Sequence, residues 1–288
     1  MTPNHHPPFK ADIAFAVKQY QKGATLIELM VGITIGLLTI AVAMGALMVS
    51  RGVSGTITDA SQLQQQAAYA FRVLGQQLRQ AGSIRLNLAS NKNPGDTIDP
   101  ADVVAFSPDS TITPLVGKDS PASNEFKLSI GYQNYSEPSY TSSSAVSLFR
   151  DCLGAQPSTS VIQSQFTIKD GELHCAGSNN TAQAIVRNVA DFQVRYLVQT
   201  GALTGLPSIQ SASAAGAATD WTRVFGVEVC LVLYGDETID IPAGSTYTGC
   251  DGSSINMSST GSLAANRKNH MHMTFRNVFQ LRSQGRTG

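Results

Sequence analysis

Two histidines, His270 and His272 in the stretch NHMHM, are the residues best spaced to hold a metal ion. On a strand they face the same side, as two ligands must, but no third donor can be named, and a polar strand face accounts for the pair without a metal. His174 lies beside Cys175 and could tune a thiolate, although a disulfide-bonded cysteine next to an ordinary histidine is the simpler account. The acids of DETID (236–240) and Asp251 lack the alternating ligand spacing of a calcium loop and read as solvated turns. Trp221 and Tyr247 are either exposed contact residues in loops or core filler. No H-E-x-x-H, G-x-x-x-x-G-K-S/T, G-x-S-x-G or G-x-G-x-x-G motif occurs. No catalytic residue, metal site or cofactor is assigned, and the expectation is a protein that is not an enzyme.

The four cysteines, Cys152, Cys175, Cys230 and Cys250, form no C-x-x-C pair, which argues against zinc and thioredoxin-like chemistry. Four cysteines allow three pairings. Cys152–Cys175 and Cys230–Cys250 are favoured, because each closes a local loop bounded by strand-like sequence. Each such loop stabilises by roughly 3 kcal/mol on the chain-entropy estimate.

A different kind of chemistry is suggested by one acid. From Gly23 to Ser50 the ionisable side chain is Glu28 alone, in KGATLIELMVGITIGLL. A carboxylate in lipid is expensive and needs a partner. The apolar run Ala24–Ser50 makes about 40 Å of helix, more than the ~30 Å hydrocarbon core. Lys10, Lys18 and Lys22 precede it against one acid, Asp12, and Arg51 is the first charge after it. The positive-inside rule leaves the N-terminus in the cytoplasm and exports the remainder. The run is too long for a secretory signal core, and the one plausible cut, after Lys22-Gly23, lies before it. Gly32 and Gly36 form a G-x-x-x-G that would let helices approach closely, a pattern as often due to chance as to packing.

The remaining composition agrees with export. The chain is 288 residues long and 42% hydrophobic, so a sizeable core is available. Charged residues are only 14%, well under the usual quarter, and Ser, Thr, Gly, Ala, Gln and Asn take their place. Net charge is zero and no basic block stands out, so no nucleic-acid partner is expected.

KGATLIELMV resembles the class III signal of type IV pilins and type II secretion pseudopilins. The resemblance implies that a prepilin peptidase cuts between Gly23 and Ala24 and methylates the new amine of Ala24, where the family usually has Phe. Glu28 then falls at the family's fifth mature position. There it meets the N-terminal amine of a neighbouring subunit during filament assembly, an opposite charge that relieves its burial. Glu28 also lies one turn from its own helix N-terminus, where the dipole favours an acid.

Beyond Arg51, Leu63, Ala67, Ala70, Phe71, Leu74, Leu78 and Ala81 mark one face of a helix, with glutamines on the others. Two glycines and β-branched residues in RGVSGTITDAS (51–61) predict a bend or frayed turn, and Gly82 is a plausible stop. The whole is one helix of about 55 residues. From residue 83 on the signals are β: Val103–Phe106, Phe126–Tyr132, Ala145–Arg150, Val161–Ile168, Phe192–Val198, Val224–Tyr234 and Met273–Leu281. The gaps 86–101, 133–144, 201–220 and 251–266 read as loops, and SASAAGAATD (211–220) as a mobile, low-complexity one. The expectation is an α+β fold in which an antiparallel sheet packs on the C-terminal half of the long helix.

AAYAFRVLGQQLRQAG, FRDCLG with ELHC, IVRNVADFQVRYLV, VFGVEVCLVLYG with TGC, and FRNVFQLRSQ are similar to segments of PilW-type minor pilins. In those relatives IVRNVADFQVRYLV is a helical turn leading to a strand that an Asp precedes. The resemblance implies a pilin-like organisation: a leader 1–23, a transmembrane and filament-core helix 24–50, its continuation 51–83 on the head, and a periplasmic or extracellular head 84–288. It further implies a structural subunit that sits in the inner membrane before assembly and at or near the pilus tip afterwards. Its partners would be the prepilin peptidase, other minor pilins, the major pilin, a large tip adhesin and, before assembly, lipid. Assembly priming, twitching motility and surface attachment follow from such a role. A J-type pseudopilin of a type II secretion system tip is the alternative.

Overall fold

The structure, a computed structural model, describes residues 23–93, 96–107, 109, 111–140, 142–200 and 208–281. The leader up to Lys22 and residues 282–284 of the FRNVFQLRSQ stretch lie outside the described residues. The chain divides into two compact units, Met1–Arg51 and Gly52–Gly288, and each is taken by itself.

Helix α1 (Leu26–Gln80) begins in the first unit and ends in the second. The backbone stays helical through 51–61, where the sequence predicts a bend. Two interior glycines cost about 1 kcal/mol each, while a break would strand several backbone donors and acceptors. Thr58 also closes its hydroxyl on the Ser54 carbonyl at 2.9 Å, within the helix. The helix stops at Gly82, whose φ of 68° is left-handed. The Gly82 amide leaves the helix and donates to Gly131 O at 2.8 Å.

The head follows as strands β1 (Arg85–Asn87), β2 (Ala105–Ser107), β3 (Leu115–Gly117), β4 (Leu128–Gln133), β5 (Ser136–Ser139), β6 (Ser142–Ser147), β7 (Val161–Lys169) and β8 (Glu172–Ala176). Then come β9 (Ala182–Val186), β10 (Val189–Thr200), β11 (Ser208–Ala212), the short helix α2 (Ala214–Ala217), β12 (Val224–Thr238), β13 (Thr246–Thr248), β14 (Ser254–Asn256) and β15 (His270–Gln280). The α+β class expected from the sequence is what is found, a long N-terminal helix followed by antiparallel sheets. The single sheet is corrected to two main ones, ordered β3-β4-β7-β8-β9 and β11-β10-β12-β15, with three two-stranded ribbons beside them.

Strand β12 is central in its sheet and buried on both faces, which is why it reads as an unbroken apolar run. Strand β7 alternates, with Ile162, Ser164 and Phe166 inward. The predicted loops contain short strands: β5 lies in 133–144, β11 in 201–220 and β14 in 251–266. The stretch read as mobile, 211–220, is instead the end of β11 and then α2. Ser213 caps α2, and the amides of Ala214 and Ala215 donate to Asp119 at 2.8 and 3.0 Å. The helical turn expected before Phe192 is absent. Asn188, with φ 56°, turns the chain from β9 into β10, and Asp191 lies inside the strand rather than before it.

The C-terminal part of α1 supplies the middle of the head core. Leu63, Ala67, Ala70, Leu74, Leu78 and Ala81 are buried in one cluster with residues of both main sheets. Gly75 lies so close to the Phe279 ring that a Cβ there would come within 2.5 Å of it. Polar side chains tie the same helix face down. Buried Asp59 accepts the Glu237 amide at 3.0 Å. Buried Gln77 accepts from the Ser164 hydroxyl at 2.9 Å and donates to Arg150 O at 3.2 Å, and the Tyr132 hydroxyl lies 2.8 Å from its Oε1. Replacing Gln77 with Leu strips these partners without opening a cavity. Urea unfolding should then show a loss of about 2–3 kcal/mol, from buried polar groups left unsatisfied; an unchanged midpoint would mean that the network contributes nothing.

Candidate functional site

In the first unit, Gly23, Ala24 and Thr25 precede α1 and are exposed. Thr25 is the residue before the first helical turn. Its carbonyl accepts the Leu29 amide at 3.2 Å, and its hydroxyl oxygen accepts the Glu28 amide at 3.3 Å. Glu28 Oε2 in return accepts from the Thr25 amide and from the Thr25 hydroxyl, each at 3.2 Å. Two otherwise unpaired donors of the helix start are thus satisfied reciprocally, the arrangement of a capping box. The sequence reading assigns Glu28 a partner in another chain; the structure adds one in its own. The signal was present in Thr25-Leu-Ile-Glu28, a threonine followed three residues later by glutamate.

From Leu26 to Met48 the helix is long and apolar enough to cross a membrane, with a mean hydropathy of 2.3, and none of the most apolar stretch is buried. Leu26, Leu38 and Met48 are each about two-thirds or more exposed. Each such side chain forgoes about 1.5–3 kcal/mol that full burial would give. The two hydroxyls in this stretch are satisfied within the helix, Thr34 on Val31 O at 2.9 Å and Thr39 on Gly36 O at 2.8 Å. Gly32 and Gly36 have open space where a Cβ would be. The side chains along this stretch thus form a continuous apolar surface.

In the head, Cys152 is bonded to Cys175 and Cys230 to Cys250, with Cα separations of 6.3 and 5.7 Å. The first bond sits beside a loop shaped by buried Asp151, whose carboxylate accepts the Leu153 and Ala155 amides at 3.0 Å and the Ser178 amide at 3.2 Å. The second joins β12 to the end of the β13 loop and packs with Val232, Ala190 and Tyr247.

Among the described residues no group of three His, Cys, Asp or Glu side chains could hold an ion. His272 is instead a buried ring stacked on Tyr247 at 4.5 Å and on Tyr234 at 5.8 Å, its Nδ1 2.9 Å from His270 O. His270 packs edge-on against Tyr234, and the Arg267 guanidinium lies over the Tyr234 ring, 5.7 Å from its centroid. His174 faces Glu172, 3.4 Å away, while its neighbour Cys175 is bonded. Asp236 and Glu237 lie in β12 rather than in a turn, and Asp251 accepts the Ser253 amide at 2.9 Å in a local turn. Trp221 packs edge-on against buried Tyr196 at 5.0 Å, and Tyr247 is half-buried. Both are packing residues.

Comparison with known proteins places the chain by its two ends. Residues 18–44 match the prokaryotic N-terminal methylation motif, a match that spans Gly23, Ala24 and Glu28. The chain therefore carries a prepilin-type N-terminal methylation motif. Residues 156–283 match the family described as type IV pilus-assembly protein W. The two matches show the resemblance to type IV minor pilins of the PilW type that the sequence suggests. No curated protein matches. Among solved structures, a type IV-like pilin from Thermus thermophilus is similar at 13% identity and a TM-score of 0.38, covering 77% of this chain and 98% of that one.

The stacked histidine makes the head sensitive to acid. Burial holds the His272 pKa below its ordinary 6.5, and His270 and Arg267 push it the same way, against the hydrogen bond to His270 O. The folded head keeps this ring neutral where the unfolded chain protonates it. The stability is present above about pH 6.5 and is lost as pH falls through the lowered value. Melting curves should show Tm falling below that pH, and His272→Phe, which keeps the stack, should flatten the fall. A variant that melts with the same pH dependence would assign the effect elsewhere.

Proposed function

We propose that this chain is a non-enzymatic structural subunit, a minor pilin that primes assembly at or near the tip of a type IV pilus. The observation that carries the reading is the uncovered apolar helix Leu26–Met48 with its single acid at the capped start. In this reading a prepilin peptidase removes residues 1–23 and methylates Ala24. The helix holds the subunit in the inner membrane with the head in the periplasm, where the disulfides form. Extraction into the filament replaces lipid with neighbouring helices.

Glu28 has two partners in sequence. In the unassembled subunit Thr25 satisfies its carboxylate, which lowers the cost of carrying it into an apolar medium. On assembly it turns to the methylated amine of a neighbouring subunit. Other minor pilins, the major pilin and a large tip adhesin are the expected partners, and twitching motility and surface attachment the expected outputs. The match of residues 156–283 to the pilus-assembly family supports the pilus over the alternative, a J-type pseudopilin in a secretion tip complex.

Mass spectrometry of pili sheared from cells, beside the membrane fraction, tests this. A peptide beginning at N-methylated Ala24 is expected in the sheared fraction. The same peptide confined to membranes would favour the pseudopilin, and an intact 1–23 leader in both would end the pilin reading. Glu28→Ala should leave the cleaved peptide in membranes and deplete it about tenfold or more from sheared pili, as loss of a buried charge pair requires; undiminished incorporation would remove Glu28 from assembly.

A further inference from the structure

The face of α1 that points away from the head core has its own pattern. Gln62, Gln65, Tyr69, Arg72, Gln76 and Arg79 are all exposed and follow one another at three- and four-residue steps. They form a single ridge along the helix, the spacing at which a second helix can pack. A groove runs along each side. One, of about 640 Å³, is lined by Val73, Leu153, Ala184 and Ile185 with Arg150 at its wall. The other, of about 710 Å³, is lined by Ala68, Phe71, Gly75 and Phe279. Arg72 and Gln76 border both grooves.

The charge on this surface has one sign. Between Asp59 and Asp96 the sequence contains arginines and a lysine but no acid. Arg72 lies over the Tyr69 ring at 5.6 Å, and Arg150 Nη1 donates to Gly154 O at 2.8 Å. No carboxylate among the described residues forms an ion pair with Arg72, Arg79 or Arg150. The acid lining the grooves is Asp151, which is 4% exposed and already accepts three backbone amides. A chain of zero net charge thus keeps a basic ridge between two partly apolar grooves. Unpaired arginines there leave a stated complement: carboxylates, flanked by apolar side chains.

The geometry points to this ridge as the docking surface for a helix of a neighbouring subunit. That helix carries two carboxylates about two turns apart, roughly 10 Å, to match Arg72 and Arg79, and apolar residues on either side fill the grooves. The arginines select the partner and its register more than they add affinity. The inference rests on the pilin reading, since it is assembly that brings a second helix to this face.

Photo-crosslinking in cells tests it. With p-benzoylphenylalanine at Gln76 in the full chain, the crosslinked peptide should be a helical segment of another pilin-signal subunit bearing two acids seven residues apart. Arg72→Glu with Arg79→Glu should reduce that crosslink by about tenfold or more, as reversal of two facing charges requires. Arg72→Lys with Arg79→Lys should retain most of it, and reversing the partner's two acids should restore it. A crosslink to a segment without acids, to a second copy of this chain lacking such a pair, to lipid, or to nothing overturns the inference, as does a crosslink indifferent to charge reversal. Intact disulfides in each variant verify the fold. The peptide beginning at Ala24 separates the two failures: its absence defeats the pilin reading, and its presence with an unaltered crosslink defeats the ridge alone.

Discussion

The head is organised by one seam, the buried face of α1. Leu63, Leu74 and Leu78 are essentially inaccessible, and each contributes about 2–3 kcal/mol by burial. Ala67, Ala70 and Ala81 sit among them, small enough to let the sheets approach the helix backbone. Residues of both main sheets meet this seam in one cluster, Ile162 and Phe166 from β7 and Val227, Val229 and Leu231 from β12. The two sheets share no strand, and this common core is what relates them. Gln77 and Asp59 add direction to what apolar contact leaves free. A leucine can slide by a rotamer, whereas Asp59 must meet the Glu237 amide and Gln77 the Ser164 hydroxyl and Arg150 carbonyl.

The first unit obeys the opposite rule. Among the described residues, the apolar side chains of Leu26–Met48 are exposed, a surface suited to lipid or to other helices. Its polar groups have been dealt with locally. Thr34 and Thr39 bond their own helix, and Thr25 and Glu28 satisfy one another. A rod whose polar groups are closed internally can exchange one apolar environment for another with little electrostatic cost. Under the function proposed above, that property suits a subunit that leaves a membrane for a filament.

Much of this was legible in residue order, and the misses have identifiable causes. The apolar run, the helical periodicity beyond it and the stop at Gly82 depend on local pattern, and the helix follows them. At 51–61 the sequence predicts a bend or frayed turn; the helix does not fray there, because the hydrogen-bond ladder on either side holds the glycines in it. Strand β8 was missed although Asp170-Gly171, both at positive φ, spells a tight hairpin after β7. The alanine-rich stretch 211–220 looks featureless because what orders it is Asp119, about ninety residues away in sequence. The capping box is legible in Thr25 and Glu28, three residues apart at the start of an apolar run. The stack on His272 could not be read at all, because it requires the register of β12 against β15 and the fold of the β13 loop.

The sparse charge of the chain also acquires a reason. Asp59, Asp119 and Asp151 spend their carboxylates on backbone amides, and Asn134 spends its amide group on the carbonyls of Pro157 and Thr159. Acids used in this way fix loops and strand ends without requiring cations, and hydrogen bonds to charged groups are among the stronger ones available. Arg72 and Arg79, by contrast, have no carboxylate partner among the described residues. Where such arginines gather on an exposed helix face, as Arg72 and Arg79 do, the low overall charge sharpens their effect. A few unpaired cations on a neutral surface make a directional feature, whereas the same residues in a densely charged surface would be neutralised by their neighbours. Asp59 and Asp151 are satisfied by backbone amides, while Arg72 and Arg79 stand on the exposed face of α1, so the low charge of the head and the basic ridge are compatible features of one surface.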